Sequence, residues 1–167
     1  MAASITRLCR TLAVIALVAL PSVIVSCVDS HTVFHRYVPI ADGGWDTCSY
    51  VQLTFSLDSA ERERDAAMAV EMRLSADYPY ANLWLEVSDN ASDSATFAVD
   101  TVEVRTVGDD GARRGTFAAG LYTLTFPCKR FPALRRGEVE VRIRHLMGCS
   151  PLEGVRDVGI HVTRGGG

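Results

Sequence analysis

The five cysteines and four histidines of this sequence are its candidates for lipidation, disulfide formation, metal binding or catalysis. Cys27 differs from the other cysteines because it follows a small residue, Ser26, at the end of an apolar segment. A thiol in that position can carry a lipid, whereas thiols further along an exported chain can form a disulfide. The chemistry of the cysteines therefore depends on whether the first residues export the chain.

Residues 1–26 have the parts of a bacterial export signal. Two arginines give a positive start, residues 11–20 form the apolar stretch, and Ser26 directly precedes Cys27. The apolar stretch is short for a bilayer span, which needs about 20 apolar residues. The segment resembles the lipobox of bacterial lipoproteins, so we expect cleavage before Cys27 and lipidation of its thiol. An ordinary secretory signal or an uncleaved anchor is the alternative.

Lipidation of Cys27 would hold the chain on a membrane. One acyl chain binds only marginally, at about 0.8 kcal/mol per buried methylene, so two or three chains make anchoring effectively permanent. Val28, and not an aspartate, follows Cys27. Under the sorting rule of enteric bacteria, this residue permits transfer to the outer membrane. We expect an exported protein that is lipid-anchored to the outer membrane and faces the periplasm.

Cys48, Cys128 and Cys149 remain for other chemistry. An oxidising compartment favours one disulfide between two of them, and the sequence does not choose the pair. In the chain-entropy model, a bridge from Cys48 to Cys128 would stabilise the fold by about 4 kcal/mol and one from Cys128 to Cys149 by about 3 kcal/mol. The cysteine spacing matches no zinc pattern, and we expect neither a metal nor a cofactor.

The histidines do not form a catalytic set. His31 and His35 are four positions apart, which suits metal binding only on a helix, and their segment lacks a helical pattern. We interpret His145 and His161 as solvated or hydrogen-bonded residues of strands. The sequence contains no hydrolase, metalloprotease or nucleotide-binding motif. It therefore predicts no catalytic residues and no enzyme.

Aromatic residues in or beside turns are candidate binding residues. Tyr78, Tyr80 and Trp84 could stack on a glycan ring or on the loop of a partner. For Trp84 we favour packing against the other layer of the fold, and for the two tyrosines both interpretations are equally open. Nucleic acid is not an expected partner, because the one dense basic run, residues 129–136, is short and is followed by Glu138.

Alternation of apolar and polar residues predicts antiparallel strands along most of the chain. Residues 59–74 are ambiguous, because their composition favours a helix while residues 68–74 alternate, and we predict a polar turn followed by a strand. About seven or eight short strands predict an all-β antiparallel sandwich. The predicted strands are an edge strand over 33–40, then 51–57, 68–74, 82–87, 96–106 with a change of face that suggests a bulge, 122–126 ended by Pro127, 138–145 and 158–162.

The sequence divides into four segments on these grounds. The export signal comprises residues 1–26, and the lipidated N-terminus with a tether comprises residues 27–47. We predict a single β-sandwich domain over residues 48–164 and a frayed tail over residues 165–167.

Five blocks of the sequence are informative when they are taken together: VFHRYVPIADGGWDT (33–47), YPYANLWLEV (78–87), DTVEV (100–104), FPALRRGEVEVRIRHLM (131–147) and GVRDVGIHV (154–162). Together these blocks resemble the gliding-motility lipoprotein GldH family of Bacteroidetes. The blocks occur in the family's order and spacing and cover most of the chain after the signal. The resemblance implies a lipoprotein without enzymatic activity that is associated with gliding and type IX secretion and that acts through protein partners. The alternative is a carbohydrate-binding lipoprotein that uses the turn aromatics.

Overall fold

The computed structural model describes residues 31–92, 96–132 and 137–164, which form an antiparallel β-sandwich. The predicted fold class is confirmed, with nine strands in these residues instead of about seven or eight. A helical turn, α1 (Ser59–Arg62), occupies the polar turn that we predicted before the third strand. The strands are β1 (Thr32–Pro39), β2 (Val51–Ser56), β3 (Ala66–Ser75), β4 (Asn82–Asp89), β5 (Ala98–Arg105), β6 (Thr116–Ala118), β7 (Leu121–Phe131), β8 (Glu138–His145) and β9 (Val155–Arg164).

The two sheets have five and four strands, in the orders β1-β9-β3-β7-β6 and β2-β8-β4-β5. Alternate side chains of each strand point into the space between the sheets, where they form the core. In β8, Val139, Val141 and Ile143 are buried, and the glutamates and arginines between them face outward. Full burial of each such aliphatic side chain contributes about 1.5–3 kcal/mol.

The sandwich begins before the boundary that we predicted at residue 47. β1 pairs with β9 along its length, which confirms the predicted edge strand. Phe34 of β1 stacks on Phe55 of the opposite sheet, with ring centroids 5.4 Å apart. Trp45 is buried, and its backbone forms a bridge with Leu152. The segment predicted to be a tether therefore contributes to both the sheet and the core.

β7 continues beyond Pro127, which we expected to end the strand. The register against β3 shifts at Cys128, and this extra residue forms a bulge. Within the described residues, β6 covers only the first three residues of β7. Bulges and strand edges tolerate proline because a ladder hydrogen bond is missing there.

β5 shows the predicted change of face, but without a bulge. Val102 and Val104 point toward the core and Val99 is exposed, while the pairing with β4 remains continuous. Just before the strand, Phe97 lies under the guanidinium of Arg142, which is 4.1 Å from the ring centroid. On the outer side, Phe97 therefore packs against Arg142 and Val99 faces solvent. The strand does not cross between the sheets.

The predicted export signal and Cys27 lie outside the described residues, as do residues 135 and 136 of the basic run and the tail at 165–167. Within the part of the chain that the structure describes, no helix is long and apolar enough to cross a bilayer. Cleavage of the signal and lipidation of Cys27 remain predictions.

Candidate functional site

A cluster of polar side chains lies on the outer face of the five-stranded sheet around the carboxylate of Glu71. Tyr37 donates a hydrogen bond to Oε2 of Glu71, and His35 Nε2 lies 2.7 Å from the same oxygen. Thr125 donates to Oε1 at 3.2 Å, and His161 Nδ1 lies 3.6 Å from Oε1. Only 8% of the Glu71 side chain is exposed. These five residues form what we call the Glu71 cluster.

Four strands bring the Glu71 cluster together through their register. Tyr37 of β1, Glu71 of β3 and Thr125 of β7 lie in one row across the sheet, with a single β9 residue between Tyr37 and Glu71. In the neighbouring row, His35 faces His161, and their ring centroids are 4.7 Å apart. Because side chains alternate between the two faces of a strand, all five point to the outer side.

Gly159 is the β9 residue between Tyr37 and Glu71, and its lack of a side chain lets the tyrosine cross the strand. A Cβ at this position would collide with the carbonyl oxygen of Arg36 and lie 2.9 Å from Cδ1 of Tyr37. The guanidinium of Arg73 lies 4.0 Å from the centroid of the Tyr37 ring, a cation–π contact. The edge strand β1 is therefore fastened to β3 across β9.

Burial and hydrogen bonding together set the protonation of Glu71 and Tyr37. Burial by itself would raise the pKa of Glu71, but hydrogen bonds from Tyr37 and His35 outweigh it and hold this pKa below its usual range. Burial, together with the hydrogen bond to Glu71, raises the pKa of Tyr37 to about 12. At neutral pH, an ionised carboxylate therefore accepts a hydrogen bond from a protonated phenol.

The arrangement suits the joining of strands better than it suits catalysis. Both carboxylate oxygens of Glu71 already accept hydrogen bonds, and Tyr37 keeps its proton, so neither is available as a base or nucleophile. Across the described residues, no group of three His, Cys, Asp or Glu side chains is arranged to hold a metal ion. Chemically, the Glu71 cluster can hold β1 in the sheet.

Sequence reasoning missed the Glu71 cluster because its members are far apart in the chain. Glu71 is 36 residues from His35 and 54 residues from Thr125. A signal was nevertheless present at Gly159, which lies between Val158 and Ile160 at an outward position of the last predicted strand. A glycine inside a strand often marks a site where another group approaches the backbone closely.

The three candidate binding aromatics do not form one site. Tyr78 is fully buried and donates a hydrogen bond to the carbonyl oxygen of Asn82 at 3.4 Å, and burial raises its pKa. Tyr80 packs against Tyr78 with ring centroids 5.7 Å apart and is 37% exposed. Among the described rings, no contact joins Trp84 to either tyrosine. Tyr78 is therefore a core residue, and only Tyr80 and Trp84 are accessible.

Trp84 faces solvent, so the packing interpretation that we favoured is wrong. Its neighbours in β4, Leu83 and Leu85, are fully buried, while Trp84 is 41% exposed on the outer face of the four-stranded sheet. It lies opposite Glu103 of β5. The alternation of β4 places the indole outside because the aliphatic neighbours occupy the core.

Cys48, Cys128 and Cys149 are free thiols, so the predicted disulfide is not present in this structure. Cys48 precedes β2, Cys128 forms the bulge of β7, and Cys149 follows β8. Cys149 accepts a hydrogen bond from Tyr80 at 3.4 Å. Burial raises the pKa of Cys128 to about 11, so its thiol stays protonated at neutral pH.

The fold and the Glu71 cluster define an antiparallel β-sandwich domain with a hydrogen-bonded outer face. Residues 32–162 match the family described as GldH lipoprotein. The chain belongs to the GldH lipoprotein family, which confirms the resemblance found in the sequence. Lipoproteins attach to a membrane through a lipid, and this attachment is implied for the chain. Comparison with curated proteins gives no match.

Proposed function

We propose that the protein is a non-catalytic accessory component of the gliding-motility and type IX secretion machinery, and that it acts through protein–protein contacts. The family match over residues 32–162 carries this proposal. The match begins five residues after Cys27, the expected site of the lipid. A folded module on so short a linker is held close to the membrane, where an envelope machinery assembles.

The geometry of the Glu71 cluster supports a role without catalysis. In enzymes, a carboxylate that acts as a base must be able to reach a substrate proton. The Glu71 carboxylate is enclosed instead by groups of its own sheet, which leave little of it exposed. The cluster maintains the domain, and the function belongs to surfaces that contact other proteins.

The proposed location is the outer membrane, with the domain on its periplasmic side. The basis is the export signal, the lipid on Cys27 and the presence of Val28 at the following position. Acyl chains on Cys27 would provide permanent attachment, since two or three chains bind far more strongly than one.

Labelled palmitate and a matched pair of cysteine variants test the anchor. Wild-type protein and Cys9→Ala, whose changed residue lies in the signal, should incorporate the label in their own cells, whereas Cys27→Ala should not. Globomycin, which blocks signal peptidase II, should cause the precursor to accumulate. Label in Cys27→Ala, or processing that globomycin leaves unchanged, would contradict lipidation at this residue.

Deletion of the gene tests the role in the machinery. Cells without the protein should secrete less of the type IX cargo and, where the organism glides, should lose gliding. Re-expression of the wild-type chain should restore both, while Cys27→Ala should not. Normal secretion and normal gliding in the strain that lacks the gene would contradict the proposed function.

Carbohydrate binding is the second candidate, and the exposure of Trp84 and Tyr80 favours it. An exposed aromatic ring can stack on a sugar ring, although these two residues do not share a ring cluster in the described structure. A glycan array separates the candidates, because selective binding that Trp84→Ala or Tyr80→Ala abolishes would favour the sugar role.

A further inference from the structure

Three exposed apolar side chains lie together on the outer face of the four-stranded sheet. Tyr50 is 45% exposed, and Trp84 and Leu146 are each 41% exposed. The backbone N–H of Leu146 donates to the carbonyl oxygen of Trp84 at 2.8 Å, which makes these two residues cross-strand neighbours. Tyr50 directly precedes β2, and its ring lies beside Arg144 of β8. Arg144 is two residues before Leu146 in the sequence. We call these three residues the far-end patch.

The far-end patch lies at the end of the sandwich opposite the expected lipid. The stacking of Phe34 on Phe55 shows that the start of β1 and the end of β2 lie at one end. The other end is marked by His145, which ends β8 and directly precedes Leu146 of the far-end patch. There the imidazole of His145 lies 2.9 Å from the carbonyl oxygen of Trp45. Between these ends, the eight residues of β8 span about 27 Å.

The lipid, in contrast, is attached next to the start of β1. Thr32 is the fifth residue after Cys27, and an extended chain of this length reaches at most about 18 Å. The bilayer is therefore connected to the end of the sandwich that is remote from Trp84. Burial of the far-end patch in lipid is not the arrangement that this attachment favours.

Fixed polar contacts surround the far-end patch. Arg144 lies over the ring of Tyr50, at 5.2 Å from its centroid, and donates to Glu86 at 2.6 Å. Tyr50 also donates to Glu86, at 3.2 Å. These contacts hold the tyrosine and the arginine in one arrangement before any partner arrives, which lowers the entropy cost of binding.

The arginines that the structure describes on this face are paired with glutamates, and the additional glutamate, Glu138, lies at the end of β8 away from the far-end patch. Each arginine of the outer face lies within ion-pair distance of a glutamate: Arg144 with Glu86, Arg142 with Glu140 and Arg105 with Glu103. A complementary partner surface is therefore apolar and has little net charge. Tryptophan, tyrosine and arginine are also the residue types enriched at the energetic centres of protein interfaces.

A cavity beside Tyr50 adds shape to the surface. It has a volume of about 250 Å³, and its lining includes Val38, Ile40, Trp45 and Val51. A cavity of this kind can receive one apolar side chain from a partner, as interface pockets do. Leu146 and the cavity favour a protein as the occupant, because a sugar ring stacks on aromatic faces and gains little from an aliphatic side chain.

We propose that the far-end patch docks another envelope protein through an uncharged surface with a protruding aliphatic or aromatic side chain. The proposal rests on the proposed function, since it assigns the contact surface of that adaptor. Binding is driven by apolar burial, so it should resist salt, because screening weakens contacts between exposed charges. The lipid attaches one end of the domain to the membrane, and the opposite end carries the partner.

Co-purification of the tagged full-length protein from its own membranes tests this proposal. Trp84→Ala and Leu146→Ala should each lower the recovery of the partner by about tenfold or more. Val99→Ala is the matched control, because Val99 is another exposed apolar residue of the same outer face. It should leave recovery within about twofold. Recovery by the wild type should not change between about 0.15 M and about 1 M salt.

Photo-crosslinking provides a second measurement if an alanine variant accumulates poorly. A photo-reactive amino acid is placed at position 50 or, as the control, at exposed Arg130 of the other sheet. The partner should crosslink at position 50 and not at position 130. Three results would overturn the proposal: recovery that survives both alanine changes, loss of recovery at high salt, and capture only of a second copy of this chain or of a glycan. Failure of palmitate labelling or of the deletion phenotype would instead count against the proposed function.

Discussion

The outer faces of the two sheets use similar residue types in opposite ways. On the five-stranded sheet, Tyr37 and Glu71 are turned toward each other and enclosed by their neighbours. On the four-stranded sheet, Tyr50 and Glu86 also form a hydrogen bond, but the tyrosine remains 45% exposed beside Trp84. A face whose polar groups satisfy one another stabilises the fold, whereas a face with exposed rings remains available for binding.

This difference follows from the positions of the strands. The Glu71 cluster lies over β9 and β3, and two of its members, His35 and Tyr37, come from the edge strand β1. The hydrogen bonds of the cluster keep β1 in the sheet, and β1 is also the strand nearest in sequence to Cys27, the proposed site of the lipid. In the far-end patch, Trp84 lies in β4 and Leu146 directly follows β8, and both strands are interior strands with pairing on both sides. The side chains of Trp84 and Leu146 can therefore be exposed without weakening the sheet.

The largest effect on stability is expected from Glu71→Ala. The change leaves Tyr37, His35 and Thr125 without their acceptor, and we expect the free energy of unfolding to fall by about 3 kcal/mol. Glu103→Ala on the other outer face is the control, and its loss should be about 1 kcal/mol or less, as for exposed ion pairs. Urea unfolding of the purified proteins measures both. Equal losses for the two variants would contradict the distinction between the faces.

Gly159→Ala should have the next largest effect. The new Cβ would press on the backbone of β1 and on the ring of Tyr37, at a cost of about 2 kcal/mol. Gly43→Ala is the matched control, because a Cβ at Gly43 meets nothing within 4 Å. Hydrogen exchange should show faster opening of β1 in the first variant. Unchanged protection of β1 would contradict the inference that the ring of Tyr37 needs the space over Gly159 in order to reach Glu71.

Alkaline pH should weaken the five-stranded face through Tyr37. Its pKa is raised from 10.0 to about 12, so the stability it contributes is complete below pH 10 and is lost as the pH rises toward 12. Tyr37→Phe should make stability fall less steeply in this range. Tyr78 and Cys128, whose pKa values are also raised by burial, should contribute to the loss that remains. Identical pH profiles for wild type and Tyr37→Phe would contradict the assigned hydrogen bond.

Trp84→Ala should have the smallest effect on stability, within about 0.5 kcal/mol, because its ring is on the surface. The same change should greatly reduce recovery of the partner. Thermal unfolding of the purified variant checks the first expectation. A loss comparable to that of Glu71→Ala would show that the indole supports the fold and would weaken its assignment to binding.

The strands were largely predictable because their alternation is local. The pattern of residues 138–145 defines β8, and the core positions of β9 follow from Val158, Ile160 and Val162. The continuation of β7 beyond Pro127 was not predictable, because the bulge at Cys128 depends on pairing with β3. The predicted tether, residues 27–47, extended too far because the burial of Trp45 depends on its bridge to Leu152, which is distant in the sequence.

The sites were less predictable than the strands. Trp84 could be placed on the face opposite Leu83 and Leu85, but whether another layer covered it could not be read from β4 alone. The Glu71 cluster requires the register of four strands, so no local pattern shows it. Gly159 was the single local sign of close approach.

Photo-crosslinking in living cells tests the central claim most directly, which is that the protein contacts its partner through the outer face of the four-stranded sheet. A photo-reactive amino acid is placed at Tyr50 on that face, which leaves Trp84 and Leu146 intact, or at Arg130 on the five-stranded face, in the full-length protein. We predict a crosslinked envelope protein from position 50 and none from position 130. Crosslinks from position 130 alone, or from neither position, would contradict the account.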